Sequence, residues 1–269
     1  MSFNINFSSL KYAIQYFVYF ILTKLRFKIF NLLNANKAEI QTCILLTSYP
    51  PRFKILNQVV QNLLSQSVSV DIYITIYQND MELFNIVCKK IINYSNVKIV
   101  VVQNDTRSYK KIEHLGNILS EYEYFLICDD DVYYPKNFVK KLAVAMKKNK
   151  VSVTCGLSHS FVYERKHFNW IKYIYGKFNG HTIMNGVAGI LLSLDAATQL
   201  NELSNDDYKR ICPNNDDLWI SLYLLQNLSK FCINRGQYFN WIYNDPDALY
   251  QINSKGRLEK ELKNLLNYV

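Results

Sequence analysis

The chain has 269 residues, enough for a sizeable hydrophobic core, and its 49% hydrophobic content excludes a disordered chain. A formal net charge of +9 points to an anionic partner, a nucleotide or a phospholipid surface. The lysines are spread through helical segments, and no RNP-like, zinc-finger or basic-zipper pattern occurs, so nucleic acid is excluded as the partner. In chain order, the first predicted element is the run "YAIQYFVYFIL" (12–22), followed by "TKLRFKIFNLL" (23–33) with interleaved Lys24, Arg26 and Lys28. The uncharged run is shorter than the roughly 20 residues of a spanning helix and has no small-residue cleavage site. Residues 1–36 therefore form an appendage, either a membrane-interface helix, a helix packed on the protein's own core or a short spanning anchor.

Residues 37–269 read as one globular domain. "TCILLT" (42–47), "VDIYITIY" (70–77), "VKIVVV" (97–102) and "YFLIC" (124–128) are predicted strands. Helical spacing over 52–66, 81–94 and 110–122 separates them. This alternation predicts an α/β fold, a mostly parallel Rossmann-type sheet with helices on both faces. Ligands in such sheets bind at the carboxyl ends of the strands. Beyond it come a helix over 137–149, a strand over 151–156, and a loop rich in Tyr, Trp and His to about residue 185. A strand over 186–193, a helix capped by Asp195, a helix over 214–228, two late strands and a charged helix over 254–269 complete the chain. The six cysteines make no metal-ligand spacing with each other or with the four histidines, which suits buried thiols in a reducing compartment.

The chemistry concentrates at "CDDDVYYPKNF" (128–138), where three carboxylates follow a buried strand. Adjacent carboxylates repel, and a hard divalent cation with oxygen ligands, Mn²⁺ or Mg²⁺, relieves that repulsion. Asp129 and Asp131 are the metal candidates, and Asp130 is a candidate for orienting a ribose or sugar hydroxyl. A second acidic cluster, "NNDDLW" (214–219), opens a helix. Helix capping accounts for one of its carboxylates and leaves the other spare.

Between about residues 40 and 255 the chain resembles the metal-dependent nucleotide-sugar glycosyltransferases of the GT-A fold. It is most similar to bacterial members with a Thr-Ser-Tyr-Pro-Pro-Arg turn after the first strand. The segments that carry the resemblance are "LLTSYPPRF" (45–53), "LLSQ" (63–66), "CDDDVYYPKNF", "GVAGILLS" (186–193) and "NNDDLW", in that order. The resemblance implies a nucleotide-sugar donor, a UDP-sugar in the first instance, over the first-strand turn. It implies a metal on the triplet and a glycan or glycolipid acceptor near "NNDD".

Thr47, Ser48 and Tyr49 supply hydroxyls and a ring suited to a base and ribose, and Pro50 and Pro51 stiffen the turn. Arg52 either binds phosphate or a base carbonyl, or begins the next helix with its head in solvent. Asp105 is a base or ribose candidate, or a turn residue. Lys110 and Lys111 resemble the family's lysine, with Lys111 the preferred diphosphate contact. The family's acidic pair implies Asp217 as general base of an inverting transfer, with Asp216 as alternative and acceptor ligand. His159 resembles a family histidine, although the preceding arginine is absent, and Trp219 is placed to stack on a sugar or to pack in the core. No histidine follows His181, so the metal would rest on the triplet, the diphosphate and water.

The implied activity is transfer of a sugar to a hydroxyl of a cell-surface glycan or glycolipid. The implied location is cytoplasmic, at the inner face of the membrane. A nucleotidyltransferase would want a Gly-rich phosphate loop where "TSYPPR" stands, and a non-catalytic adaptor would need neither acidic cluster.

Overall fold

The computed structural model describes residues 14, 17–18, 20–28, 40–164, 167–171, 181–202, 207–227, 231–233, 240–241 and 257–268. The remainder of the expected N-terminal segment, and residues 172–180 of the expected aromatic loop, lie outside the described residues.

Strands β1 (Thr42–Thr47), β2 (Asp71–Tyr77), β3 (Val97–Val102) and β4 (Tyr124–Ile127) are parallel, in the spatial order β4-β1-β2-β3. β1, β2 and β4 lack polar alternation because both faces of the sheet are covered there, whereas the edge strand β3 exposes Lys98 and Val101. Within β1, Ile44 and Leu46 enter the core on one face, while Cys43 and Leu45 enter the core on the other. Leu126 of β4 joins the first core, and Phe125 and Ile127 join the second. Helix α2 (Phe53–Leu64) buries Leu56, Val59, Val60 and Leu63 at helical spacing against the first face, as α5 (Phe138–Asn149) does with Val139, Leu142 and Met146. Truncating one such core leucine to alanine costs about 2–5 kcal/mol.

The sheet continues through β10 (Ile190–Ser193), β6 (Val153–Cys155) and β11 (Phe231–Ile233), giving seven strands, while β5 (Val132–Tyr133) pairs separately with β12 (Asn240–Trp241). β10 is antiparallel to both neighbours. Its start therefore lies at the edge where β1 and β4 end, and residues 186–189 join the turns that follow those strands. Helices α6 (Leu194–Glu202) and α8 (Asp216–Asn227) cover the second face, with Leu200, Ile220 and Leu224 buried there.

Three expectations are corrected. The segment 81–94 is helical only over α3 (Met81–Val87), and 110–122 only over α4 (Lys110–Glu113); short 3₁₀ turns replace the rest. Gly116 interrupts the second of these because Asn201 approaches so closely that a Cβ there would sit 2.6 Å from its Oδ1. The segment following Gly156 contains a small antiparallel sheet, β8-β7-β9 (His167–Ile171, Ser158–Glu164, His181–Met184), and not a loop. Helix α6 is capped by Ser193, whose Oγ accepts the Ala196 N–H at 3.3 Å, while Asp195 accepts from Gln199 inside the helix. Two short helices, α7 (Asp207–Ile211) and α9 (Leu258–Tyr268), pack with α8 around a third core that includes Trp219, Leu262 and Leu265.

The N-terminal helix α1 (20–28) rests on the domain through Phe27, whose ring meets Tyr94 edge-on at 5.6 Å. Its opposite face, continued by helical residues 14, 17 and 18, exposes Ile14, Phe17, Val18, Ile21, Leu22 and Leu25. These exposed apolar residues recur at helical spacing. Among the described residues no helix is long and apolar enough to cross a membrane.

Candidate active site

Parallel pairing of β1 with β4, Leu45 opposite Ile127, releases Thr47–Arg52 and Asp129–Asp131 side by side. Arg52 ends the single 3₁₀ turn Pro50–Arg52, with its guanidinium 5.5 Å from the Tyr49 ring centroid. Its Nη1 lies 2.6 Å from Asp130 Oδ1, and its Nη2 lies 3.0 Å from Asp131 Oδ2. Burial opposes the guanidinium charge, but the two carboxylates outweigh it and push its pKa up. Part of the repulsion in the triplet is thus answered by the protein's own cation. The other carboxylate oxygens, Asp130 Oδ2 and Asp131 Oδ1, are buried and accept no hydrogen bond. Ser48 Oγ is likewise buried without a hydrogen-bond partner, whereas Thr47 Oγ1 donates to the Thr75 carbonyl at 2.9 Å.

Lys111 joins the two acidic clusters. It is 3% exposed, on α4, and its ammonium lies 3.0 Å from Asp129 Oδ1 and 2.9 Å from Asp216 Oδ2. Burial would lower its pKa, but Asp129, Asp216 and Asp217 hold it well above the usual lysine range. Asp216 and Asp217 occupy the first turn of α8, and the Asn215 carbonyl accepts the first helical N–H bonds, from Leu218 and Trp219. Asp217 Oδ2 accepts the Gly186 N–H at 3.0 Å. Burial, then the neighbouring Asp216, push the Asp217 pKa well up, with Lys111 opposing. Asp131 is pushed up by burial and by its two acidic neighbours, against the pull of Arg52.

A count of charge decides what this site can take. Five carboxylates (Asp129, Asp130, Asp131, Asp216, Asp217) face two cations (Arg52, Lys111), a formal excess of three negative charges when all are ionised. A diphosphate alone would be repelled, and a divalent cation would reverse that balance. The donor atoms are hard oxygens, two of them orphaned and buried, and fit such an ion. Among the described residues no three His, Cys, Asp or Glu side chains form a preformed cage. A Mg²⁺-type ion needs only one or two carboxylates plus substrate phosphates.

The sequence motifs assigned no role to the residues that support the site. Tyr134 is buried; its hydroxyl accepts the Asp129 N–H at 3.0 Å and donates to the Val187 carbonyl at 3.3 Å. Asn62 clasps the Tyr134 backbone at both ends, 3.0 Å to its carbonyl and 2.8 Å from its N–H. Gln66 of the "LLSQ" segment donates to the Pro135 carbonyl and accepts from the Val139 N–H. Gly186 has no room for a side chain, since a Cβ would lie 2.7 Å from Asp217 Oδ1. The "NNDD" turn is held from behind by Glu261 of α9, which accepts from Asn214 Nδ2 at 2.5 Å and Asn215 Nδ2 at 2.6 Å, and by Tyr109. Tyr134, Gln66 and Gly186 lie in segments that carry the resemblance, whereas Asn62, Tyr109 and Glu261 lie outside them.

The remaining candidates are dispersed. His159 is exposed at the rim, its Nδ1 3.2 Å from Asn185 Oδ1, one residue from Gly186. Trp219 is 2% exposed and packs near Tyr208 and Tyr268, so stacking on a sugar would require that cluster to open. Asp105 lies beyond β3, bound to Lys110 at 2.5 Å, and does not contact the triplet.

No family model matches the chain, and no curated protein matches it in sequence. Solved structures do match. The mannosyltransferase PcManGT from Pyrobaculum calidifontis, in complex with GDP-Man and Mn²⁺, superposes with a TM-score of 0.56 at 9% identity, over 96% of this chain and 74% of that one. The fold is GT-A-like. TarS 1–349 from S. aureus, in complex with UDP, superposes with a TM-score of 0.51 at 13% identity, over 74% of this chain. The match spans 60% of that TarS chain. HddC from Yersinia pseudotuberculosis also matches, at a TM-score of 0.48 and 14% identity, over 81% of this chain and all of that one.

Proposed function

We propose that the chain is a glycosyltransferase that moves a sugar from a nucleotide-sugar donor to a hydroxyl of a cell-surface glycan or glycolipid, with inversion. The observation that carries this reading is Lys111, which joins the two acidic motifs into one site with a negative excess. A donor diphosphate and an acceptor hydroxyl need such adjacency. The complexes of the fold neighbours with GDP-Man and Mn²⁺, and with UDP, support a nucleotide donor and a divalent metal.

In this scheme the turn Thr47–Tyr49, with its orphaned Ser48 hydroxyl, receives the nucleoside of a UDP- or GDP-sugar. Asp129 and Asp131 would hold Mn²⁺ or Mg²⁺, which would supply charge neutralisation for the leaving diphosphate. Lys111 lies between the donor acids and the acceptor acids and holds both in register. Asp217 takes the proton from the acceptor hydroxyl. Its raised pKa makes the ionised carboxylate a stronger base, and the Gly186 N–H fixes which oxygen remains free. Asp216 orients Lys111 and the acceptor. The exposed stripe of α1, with Lys24 and Lys28 beside it, suits an anionic lipid surface at the cytoplasmic face.

Calorimetry with UDP and GDP, with and without Mn²⁺, tests the donor half. Metal-dependent binding should be present in the wild type and lost in Asp131→Asn with the fold intact. Unchanged Mn²⁺–nucleotide affinity in that variant would remove the metal role from the triplet. Turnover of a nucleoside triphosphate plus a sugar phosphate, releasing pyrophosphate, would favour a nucleotidyltransferase instead.

A further inference from the structure

Behind the "NNDD" turn lies a cavity of about 870 Å³, within the usual range of ligand pockets. It is framed by the turn after β3, by α7 and by α9. Five cations line it, Arg107, Lys209, Arg210, Arg257 and Lys260, against two acids, Asp105 and Glu261. Both acids are engaged. Asp105 is bound to Lys110, and Glu261 is 4% exposed and accepts hydrogen bonds from Asn214 and Asn215. Arg210 has a partner outside the lining, Asp207, at 3.1 Å. The lining therefore carries a formal excess of three positive charges, opposite in sign to the catalytic cluster.

The cavity shares a wall with that cluster. Asn214, which accepts a hydrogen bond from the Arg107 guanidinium, is two residues from Asp216 and three from the proposed base. A positive pocket against the acceptor side of a negative site discriminates between substrates by charge. Its volume exceeds what a lone phosphate fills and suits a sugar unit with an attached oxyanion.

We propose that this pocket binds an oxyanion, a phosphate or carboxylate, carried by the acceptor next to the sugar or polyol unit that is glycosylated. The proposal rests on the glycosyltransferase reading for the word acceptor, but the anion site itself does not. Arginine and lysine supply charge-assisted hydrogen bonds to the oxyanion, and Asn104 and Asn264 add amide groups to the same lining.

The test uses the full chain in EDTA, where the unneutralised catalytic carboxylates repel anions. Calorimetry at low ionic strength measures two oxyanion probes, inorganic tripolyphosphate and an oligogalacturonate, beside a neutral malto-oligosaccharide. At least one oxyanion should bind and the neutral sugar should not, and the tighter of the two identifies the anion as phosphate or carboxylate. The double variant Arg257→Gln, Lys260→Gln removes two exposed charges from the lining and should weaken binding about tenfold or more. Lys140→Gln, Lys148→Gln removes the same charge from exposed positions on α5 and should bind as the wild type does. No binding of either oxyanion, equal weakening in both double variants, or displacement of the probe by UDP would each overturn the site. Failure of the transferase reading has a different signature, retained anion binding without turnover of any nucleotide sugar.

Discussion

Lys111→Met removes the ammonium that bridges the two acidic clusters while keeping the length and apolar character of the side chain. The lysine is 4% exposed in its side chain, and its partners Asp129 and Asp216 are 28% and 9% exposed, so solvent replaces little of the lost interaction. Removing one member of a buried ion pair costs about 3–5 kcal/mol, because the partner charges remain buried and uncompensated. That is a large part of the about 5–15 kcal/mol that holds a domain folded. At about 2–4 °C per kcal/mol, the melting midpoint should fall by about 6–20 °C. The loss should also depend on pH. Without the ammonium, the Asp217 carboxyl, already held up by burial and by Asp216, loses the charge that opposes them and rises further above its unfolded value. The folded state then binds protons more tightly than the unfolded state, so stability is retained at low pH and lost as pH rises through the folded values. The deficit should be full at pH 7.5 and smaller at pH 5. Urea unfolding at both pH values, with and without Mn²⁺, measures it. Millimolar Mn²⁺ should restore part of the loss, since a cation binding only the folded state stabilises it. A loss below about 1 kcal/mol, or one that does not shrink at pH 5, would refute the bridging role.

Asp217→Asn should cut single-turnover transfer by roughly 10²–10⁴ with donor binding nearly unchanged, and should flatten the rise in rate with pH that ionisation of the raised carboxyl produces. Asp216→Asn should instead impair acceptor binding, and near-normal transfer by Asp217→Asn with an inactive Asp216→Asn would move the base. Gly186→Ala places a Cβ 2.7 Å from Asp217 Oδ1 and should lower kcat on the order of 10²-fold by displacing the base, with the nucleotide affinity retained; normal kcat would show that Asp217 tolerates the shift. Deleting residues 1–36 should release the protein from anionic vesicles while the sheet stays folded. Continued co-sedimentation at moderate salt would place the membrane contact elsewhere.

Sequence and structure agree where a segment's environment is local and strong. The run "TCILLT" is apolar between its two threonines because β1 is covered on both faces, and the β-branched run "VKIVVV" marks β3 although that edge strand exposes Lys98 and Val101. Helical spacing over 81–94 and 110–122 overstated the helices, since burial of one stripe is also met by short 3₁₀ turns and Gly116 lets α6 approach. Strand β7 escaped notice because its burial does not alternate: Ser160 and Phe161 are adjacent and both buried. At the site, the acidic motifs were legible as chemistry but their partners were not. Arg52 reaches Asp130 only because β1 and β4 pair in parallel register, and Glu261 reaches Asn215 from the far end of the chain. Such contacts follow from topology, which a single sequence does not encode at fixed spacing.

In the proposed reaction a divalent metal on the triplet assists cleavage of a nucleotide sugar at its anomeric carbon. Mass-spectrometric screening of a panel of nucleotide sugars with Mn²⁺, in the absence of acceptor, measures this directly. The predicted result is slow hydrolysis of one donor to free sugar and a nucleoside diphosphate, abolished by EDTA and by Asp131→Asn. Cleavage within the diphosphate to a nucleoside monophosphate and sugar phosphate, or hydrolysis that persists in EDTA, would contradict it.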